Sequence, residues 1–434
     1  TFTIVSPPSR HQAVAILAQA RASRSTAGKW GLLASMAFFD FSSAPGPFRA
    51  TYRLLYLCFR SAVVEHASPE FEVTAKRCAV LAVLALVLPL LAWWNALGFL
   101  LDELLFPEYH SQPIVAPLFI QGSARSGTTA MHRLLAQDPQ LTAMTTWEMV
   151  LAPSVTWRRL FRQLGQLDAR LLCGAVSKVV AACARRIAEA TAVVHEVQVF
   201  GAEEDEWLMA HIGAAQLLAF FFPILDDFGP LVDCDAKLPI QTKRAILEYY
   251  VGCVRRHLYA HGGSCTYVAK NPTFNRRMRW LQSAFPDARF VVLTRPPAES
   301  VPSLVCYIGA VWGAFCSPRA RCPLARALTD LQPGDIAYPL DALRDWPEGQ
   351  RAVVANKALR EDCVEVIGKL YRKLGLSMSS EFAARVQRSS EKAHGQSSGH
   401  RYSIEDTGMF ADEFEAYFSE SVARLQRLER GEWE

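Results

Sequence analysis

The sequence predicts an α/β fold in which a parallel sheet is flanked by helices, with an apolar helical, membrane-associated region at the N-terminus. Three observations carry this expectation. An apolar run from Ile114 to Ile120 reads as a buried strand, ends in a glycine-bounded loop and opens into a helix. Residues 266–294 repeat a strand, helix, strand pattern. Residues 78–101 carry no charge.

As a helix, that uncharged run would be about 36 Å long, enough to cross a bilayer. Trp93 and Trp94 are interfacial residue types; Lys76 and Arg77 precede the run, and Asp102 and Glu103 follow it. Basic before and acidic after predicts a single-pass anchor with a cytoplasmic N-terminus and a lumenal, Golgi-type catalytic domain. Pro89 and Asn95 interrupt the run, so a buried hairpin or a helix lying on the membrane is the alternative. Residues 30–64, rich in Phe, Leu, Tyr and Arg, read as helical and interfacial. The chain divides on this reading into a membrane-associated region, 1–111, and a catalytic domain, 112–434.

At 434 residues the chain can bury a large core without disulfides or metals. The formal net charge of +4 is small and spread out, which excludes a nucleic-acid footprint and favours an anionic small molecule held by a few placed cations. The eleven cysteines form no CxxC pair and no zinc-type spacing, so no metal is expected. Cys316 and Cys322 could close one short disulfide loop, with unpaired thiols as the alternative.

The loop after the first strand reads Gly122-Ser123-Ala124-Arg125-Ser126-Gly127-Thr128-Thr129. Strand, loop and helix in this order aim backbone N–H groups and a helix dipole at an anion. The spacing matches the P-loop pattern GxxxxGK[ST], but Thr128 stands where an NTPase needs its lysine. A ligand with a single 5′-phosphate fits backbone amides and the Thr128 and Thr129 hydroxyls better than a nucleoside triphosphate does. In the second unit, Thr266–Ala269 leads into Lys270-Asn271-Pro272, residues 276–285 read as helix, and Arg289–Thr294 is a strand that stops at Arg295. Ligands bind beyond the carboxyl ends of such strands, where Lys270 and Arg295 fall. Ser303, two helical turns after Arg295, can reach back to complete a second phosphate site.

Together, Arg125-Ser126-Gly127-Thr128-Thr129, Lys270-Asn271-Pro272, Phe285-Pro286-Asp287-Ala288-Arg289-Phe290 and Arg295 with Ser303 resemble the sulfotransferase superfamily, closest to the tyrosylprotein-type and bacterial-style members. The resemblance covers residues 113–310. It implies 3′-phosphoadenosine-5′-phosphosulfate (PAPS) as donor, residues 124–129 around its 5′-phosphosulfate, and Arg295 and Ser303 on its 3′-phosphate. Ala124, Asn271 and Pro296 depart from the family's usual Pro, Asp and Asp; none removes a cation or hydroxyl that the nucleotide needs.

In-line sulfuryl transfer to a hydroxyl needs a base, cations for the equatorial oxygens, and stabilisation of the departing phosphate. The resemblance assigns Glu148 as base, beside the apolar wall of Trp147, with Arg125 and Lys270 on the sulfonate and bridging oxygen. The acidic run Glu203-Glu204-Asp205-Glu206 reads first as helix N-terminal charge and second as an acceptor or backup base site, with His195 and Glu196 as further candidates. His400-Arg401-Tyr402 forms a candidate nucleotide lid by the same resemblance, and Ser403 a candidate N-cap. Residues 155–262 read as mostly helical and as the acceptor cleft; 323–347, rich in Asp and Pro, reads as surface loop. The acceptor is a hydroxyl on a protein, glycan, lipid or small molecule. A P-loop kinase and a catalytically silent nucleotide-binding membrane protein are the competing readings, and the missing lysine argues against the first.

Overall fold

A computed structural model describes residues 46–191, 197–393, 402–430 and 432. Among these, five parallel strands form one sheet: β1 (Leu118–Gly122), β2 (Leu141–Thr142), β3 (Thr266–Lys270), β4 (Arg289–Thr294) and β5 (Arg351–Ala355), in the order β2-β3-β1-β4-β5. Leu118, Phe119 and Ile120 in the central strand are fully buried, as a parallel sheet covered on both faces requires. Side-chain alternation splits the core. Phe119, Phe290 and Val292 pack toward Phe274 and Phe285, while Ile120, Val291 and Leu293 pack toward Met131, Leu135 and Ile367. The register pairs Ile120 with Lys270 and Gly122 with Leu293, which brings both predicted ligand-binding strand ends to one edge.

Helices cover both faces: α1 (Pro47–Ala67), α2 (Ala75–Leu105), α3 (Thr128–Leu135), α4 (Thr146–Leu151), α5 (Val155–Leu171), α6 (Ala175–Thr191), α7 (Ile240–Ala260), α8 (Met278–Ala284), α9 (Pro297–Phe315), α10 (Gln332–Leu343), α11 (Asn356–Glu361) and α12 (Ala411–Glu429) are the ones that matter here. The strand, helix, strand unit expected over 266–294 is present as β3, α8 and β4. The segment 323–347, expected as loop, is instead largely helical, because Ile336, Leu340 and Leu343 share one face of α10 and bury it against the sheet; Pro333 sits in its first turn, where no amide donor is lost.

The N-terminal region does not stand apart. Leu54, Leu57, Leu81 and Leu84 belong to the same core as Phe119 and Phe274, across the boundary drawn at 111. One face of α2 is buried along its whole length, through Arg77, Leu81, Leu84, Ala92, Asn95 and Asp102. At its start, the buried Arg77 pairs with Glu65 and donates to the carbonyls of Phe315 and Phe221. At its end, Asp102 accepts from the Val155 and Thr156 amides at 2.9 and 2.8 Å and pairs with Arg256 at 3.0 Å. Both ends of α2 are thus fixed to the body that carries the sheet, so the single-pass anchor with a separate lumenal domain does not hold: a helix crossing the bilayer would keep its two ends about 45 Å apart on opposite sides. Pro89 is accommodated inside this helix.

The cysteine expectation changes too. Cys316 is buried with its thiol toward the Phe221 carbonyl, and the neighbour of Cys322 is Cys306, at 3.7 Å between sulfurs; all cysteines are free.

Candidate functional site

The loop after β1 is shaped by two glycines whose replacement the fold forbids. A side chain on Gly122 (φ 131°) would strike the Leu293 carbonyl, and one on Gly127 (φ 92°) would strike Asn356. Arg125 also adopts positive φ (68°), with Ser126 between it and Gly127 not doing so. That alternation of backbone sign turns successive N–H groups inward and makes an anion nest, and α3 begins at once with Thr128. The Asn356 amide at the start of α11 ties down the loop by donating to the Ser126 carbonyl at 2.9 Å. Inside the loop the Ser126 hydroxyl is buried and has no hydrogen-bond partner among the described residues. A buried hydroxyl left unpaired beside a nest fits an anionic ligand that would satisfy it.

Around the nest, the predicted donor residues come together. Arg125 Nε donates to Ser303 Oγ at 3.2 Å, and Arg295 Nη1 donates to the Arg125 carbonyl at 2.9 Å. Tyr402 lies at the far side of Arg295, 3.5 Å from Nη2, while Glu299 pairs with Nε at 3.0 Å. Burial first, and the neighbouring Arg295 cation after it, hold the Arg125 pKa below its ordinary value. Among the described residues no carboxylate pairs with Arg125. Two adjacent guanidinium groups and a hydroxyl, with one cation unneutralised, are the electrostatics of a phosphate site. His400 and Arg401 lie outside the described residues, as do His195 and Glu196. Ser403 forms a capping box with Asp406, which supports its reading as a cap.

Lys270 is fully buried at the end of β3, and its ammonium meets Glu204 at 2.5 Å and Glu203 at 3.7 Å. The acidic run is therefore more than helix-terminal charge. Asp205 accepts from Tyr250 and Tyr267 at 2.5 Å each and from Asn271, and burial pushes its carboxyl up to about 6 despite those donors. Glu206 pairs with the buried Arg277 at 2.8 Å. These anchors leave Glu203 and Glu204 facing Lys270. Tyr307 joins the two halves of the site: its ring lies 5.5 Å from the Arg125 guanidinium, and burial together with Glu204 and Glu203 raises its phenol pKa. Sequence reasoning missed Tyr307, although it stands one helical turn beyond Ser303 on α9, on the same face.

Glu148 is placed differently. Its Oε2 accepts from the Thr145 amide and hydroxyl at 3.0 and 2.9 Å, and its Oε1 faces His261 at 3.4 Å and the buried Arg158 at 3.8 Å. No contact joins it to Arg125 or Lys270 among the described residues. Its capping box instead fixes the segment in which Thr145 bridges Ala202 and the Met144 carbonyl accepts from the Glu203 amide, at 3.2 Å. Glu148, His257 and His261 have the spacing of a metal donor set, but Arg158 stands among them, donating to His257 Nδ1 at 2.7 Å, while Thr142 engages Nε2 at 2.9 Å. A guanidinium inside the donor set opposes a cation there.

The fold is a parallel α/β sheet with a glycine-bounded loop after its central strand and with Arg125 and Arg295 gathered beside that loop. Residues 117–380 match the Sulfotransferase family, and the chain belongs to it. Relatives are the omega-hydroxy-beta-dihydromenaquinone-9 sulfotransferases of Mycobacterium bovis and Mycobacterium tuberculosis, each 26% identical over 228 residues, covering 51% of this chain and 53% of the relative. The chain thus matches about half the length of these curated relatives. Among solved structures, the sulfotransferase STF9 of Mycobacterium avium superposes with a TM-score of 0.65 at 18% identity, over 89% of this chain and 98% of that one. The sulfotransferase STF1 of Mycobacterium tuberculosis gives 0.58 at 17% identity, over 90% and 98%. Both show the same fold.

Proposed function

We propose that the chain transfers a sulfuryl group from PAPS to the hydroxyl of a lipid-like alcohol, at a membrane. The observation that carries the donor is the joined Arg125, Arg295 and Ser303 cluster against a phosphate loop that lacks the NTPase lysine. In this reading residues 124–129 hold the 5′-phosphosulfate, and Arg295, Ser303 and Tyr402 hold the 3′-phosphate, with His400 and Arg401 assigned to the same lid. Arg125 and Lys270 balance charge on the sulfonate and the departing bridging oxygen. The acceptor oxygen bonds to sulfur as the bond from sulfur to the bridging oxygen breaks, and the acceptor proton passes to a carboxylate.

For that base the reading favours Glu204 over the sequence candidate Glu148, because Glu204 touches Lys270 and neighbours Tyr307, whereas both Glu148 oxygens are engaged elsewhere. Glu148 then acts by positioning the strand-like segment that delivers Glu203 and Glu204. The lipid class of acceptor rests on the name of the mycobacterial relatives, whose acceptor is a hydroxylated menaquinone. Membrane association rests on the exposed apolar face of α2.

The test is a thermal-shift titration of the full chain with 3′-phosphoadenosine-5′-phosphate and, separately, with magnesium ATP. Saturation near a hundred times Kd adds about 2.7 kcal/mol to stability. A shift with the bisphosphate that Arg295→Ala abolishes is the expected result; a preference for magnesium ATP would revive the kinase reading, and no response to either would leave a silent nucleotide fold.

A further inference from the structure

Four helices that pack on one another in series present apolar side chains that no other part of the described chain covers. On α1, Phe48, Tyr52, Leu55, Phe59 and Val63 recur every three or four residues, and all are exposed, Phe48 to 77%. On α2 the outer face carries Val83, Leu86, Leu90, Leu97, Leu100 and Leu104 without a single charge between Cys78 and Leu101, opposite the face that grips the core. Phe48 meets Trp93 edge-on at 4.6 Å, which joins these two stripes. Trp94 stacks on Trp157 at 4.0 Å and so joins α2 to the start of α5.

From there, α5 exposes Leu160, Leu164, Leu167 and Leu171 at spacings of four, three and four, and α6, which buries no residue at all, exposes Val176, Val179, Val180 and Ile187. Water is a poor solvent for such an area: monomeric proteins rarely expose contiguous apolar patches above a few hundred Å².

Charge and aromatic placement select the occupant. Within α5 and α6, Arg159, Arg162, Arg170, Lys178, Arg185 and Arg186 are exposed, against Glu189 as the one exposed carboxylate; Asp168 is buried, capping α6 through the Val176 and Ser177 amides. The Trp93 and Trp94 indole N–H groups already donate within the protein, to Thr51 and the Leu151 carbonyl, so their rings can enter an apolar medium without stranding a donor. Apolar stripes, interfacial tryptophans and a basic surround are the pattern of helices that lie in an anionic lipid surface.

We infer that α1, α2, α5 and α6 form a monotopic docking face for an anionic bilayer, with α2 lying in the plane of one leaflet rather than spanning the membrane. This deepens the membrane part of the reading above and is independent of its donor.

The experiment is flotation of the purified full chain with vesicles of phosphatidylcholine alone or with about a third phosphatidylglycerol, at low and high salt. Wild type is expected to float with the anionic vesicles and to lose part of that binding as salt rises. Leu86→Glu/Leu90→Glu and Leu164→Glu/Leu167→Glu are each expected to weaken binding by about tenfold or more. Thermal melts check that both variants fold, and their nucleotide response separates loss of docking from failure of the donor assignment. With the exposed cysteines replaced by serine, Glu72→Cys and Glu108→Cys flank α2; both are expected to react with an impermeant maleimide added outside the vesicles. Protection of one end would overturn the in-plane geometry. A wild-type chain that ignores both vesicle types, or pairs with a second copy through this face instead, would overturn the docking surface.

Discussion

A carboxylate that serves as a base needs an oxygen free for the acceptor, and at Glu148 both oxygens already have partners, while among the described residues Glu204 pairs with the Lys270 ammonium alone. Glu204→Gln is therefore expected to lower kcat by about 10²–10⁴ and to leave the bisphosphate thermal shift intact. Glu148→Gln is expected to cost stability and to affect kcat far less; the reverse ranking, read by single-turnover assays, would return the base to Glu148. Gly127→Ala tests the loop. The new methyl meets Asn356 at positive φ, so the bisphosphate shift should vanish and the melting temperature should fall. That Arg125, Lys270, Arg295 and Ser303 fall near one edge of the sheet was legible because each lies at a strand end, in the loop, or at a helical spacing from one. The pairing of Lys270 with Glu204 was not, since 66 residues separate them and no local pattern encodes that contact.

At the scale of elements, α2 shows how one apolar run can be misread. Its hydropathy and length satisfy the requirements of a membrane span, yet its buried face contains Arg77, Asn95 and Asp102, each matched by a partner far along the chain. Arg77 and Asp102 bound the uncharged run and Asn95 lies inside it; what rules out a span is that both bounding charges are fixed to the same protein body. Asp102 also receives the first amides of α5, so Asp102→Ala removes a cap and leaves Arg256 with Glu103 as its remaining carboxylate. Destabilisation of about 1–3 kcal/mol is expected from chemical denaturation. A loss near zero would mean that α2 does not pack on the body as described. The same logic explains α10, where prolines suggested a loop but the spacing of Ile336, Leu340 and Leu343 prevailed.

Over the whole molecule, buried histidines set a pH dependence. Burial lowers His211 to about 4 and His132 to about 3, and, with Arg158 beside it, holds His257 well below its ordinary value. Each imidazole is neutral when folded and protonates near pH 6.5 when unfolded. Their contribution to stability is full above pH 6.5 and is lost as pH falls toward the folded values. Asp205 and Asp335, both raised by burial to about 6, act the other way: their contribution is present below about pH 4 and lost as pH rises through 6. Comparison of variants isolates the histidine effect. For His211 alone the loss between pH 7 and pH 5 is on the order of 2 kcal/mol, and His211→Gln, which keeps a donor toward the Met149 carbonyl, should show a correspondingly shallower slope in its unfolding midpoint.

The sequence by itself determined the α/β class, the glycine-bounded loop after β1 and the strand ends where Lys270 and Arg295 fall, because strand period, glycine placement and helix entry are local properties of the chain. Only the tertiary structure decided which carboxylate reaches Lys270, that Tyr307 closes the site, and that α2 belongs to the catalytic body with its outer face left bare. Those outcomes depend on contacts between distant segments, where burial forces each charge to find a partner that spacing along the chain does not reveal.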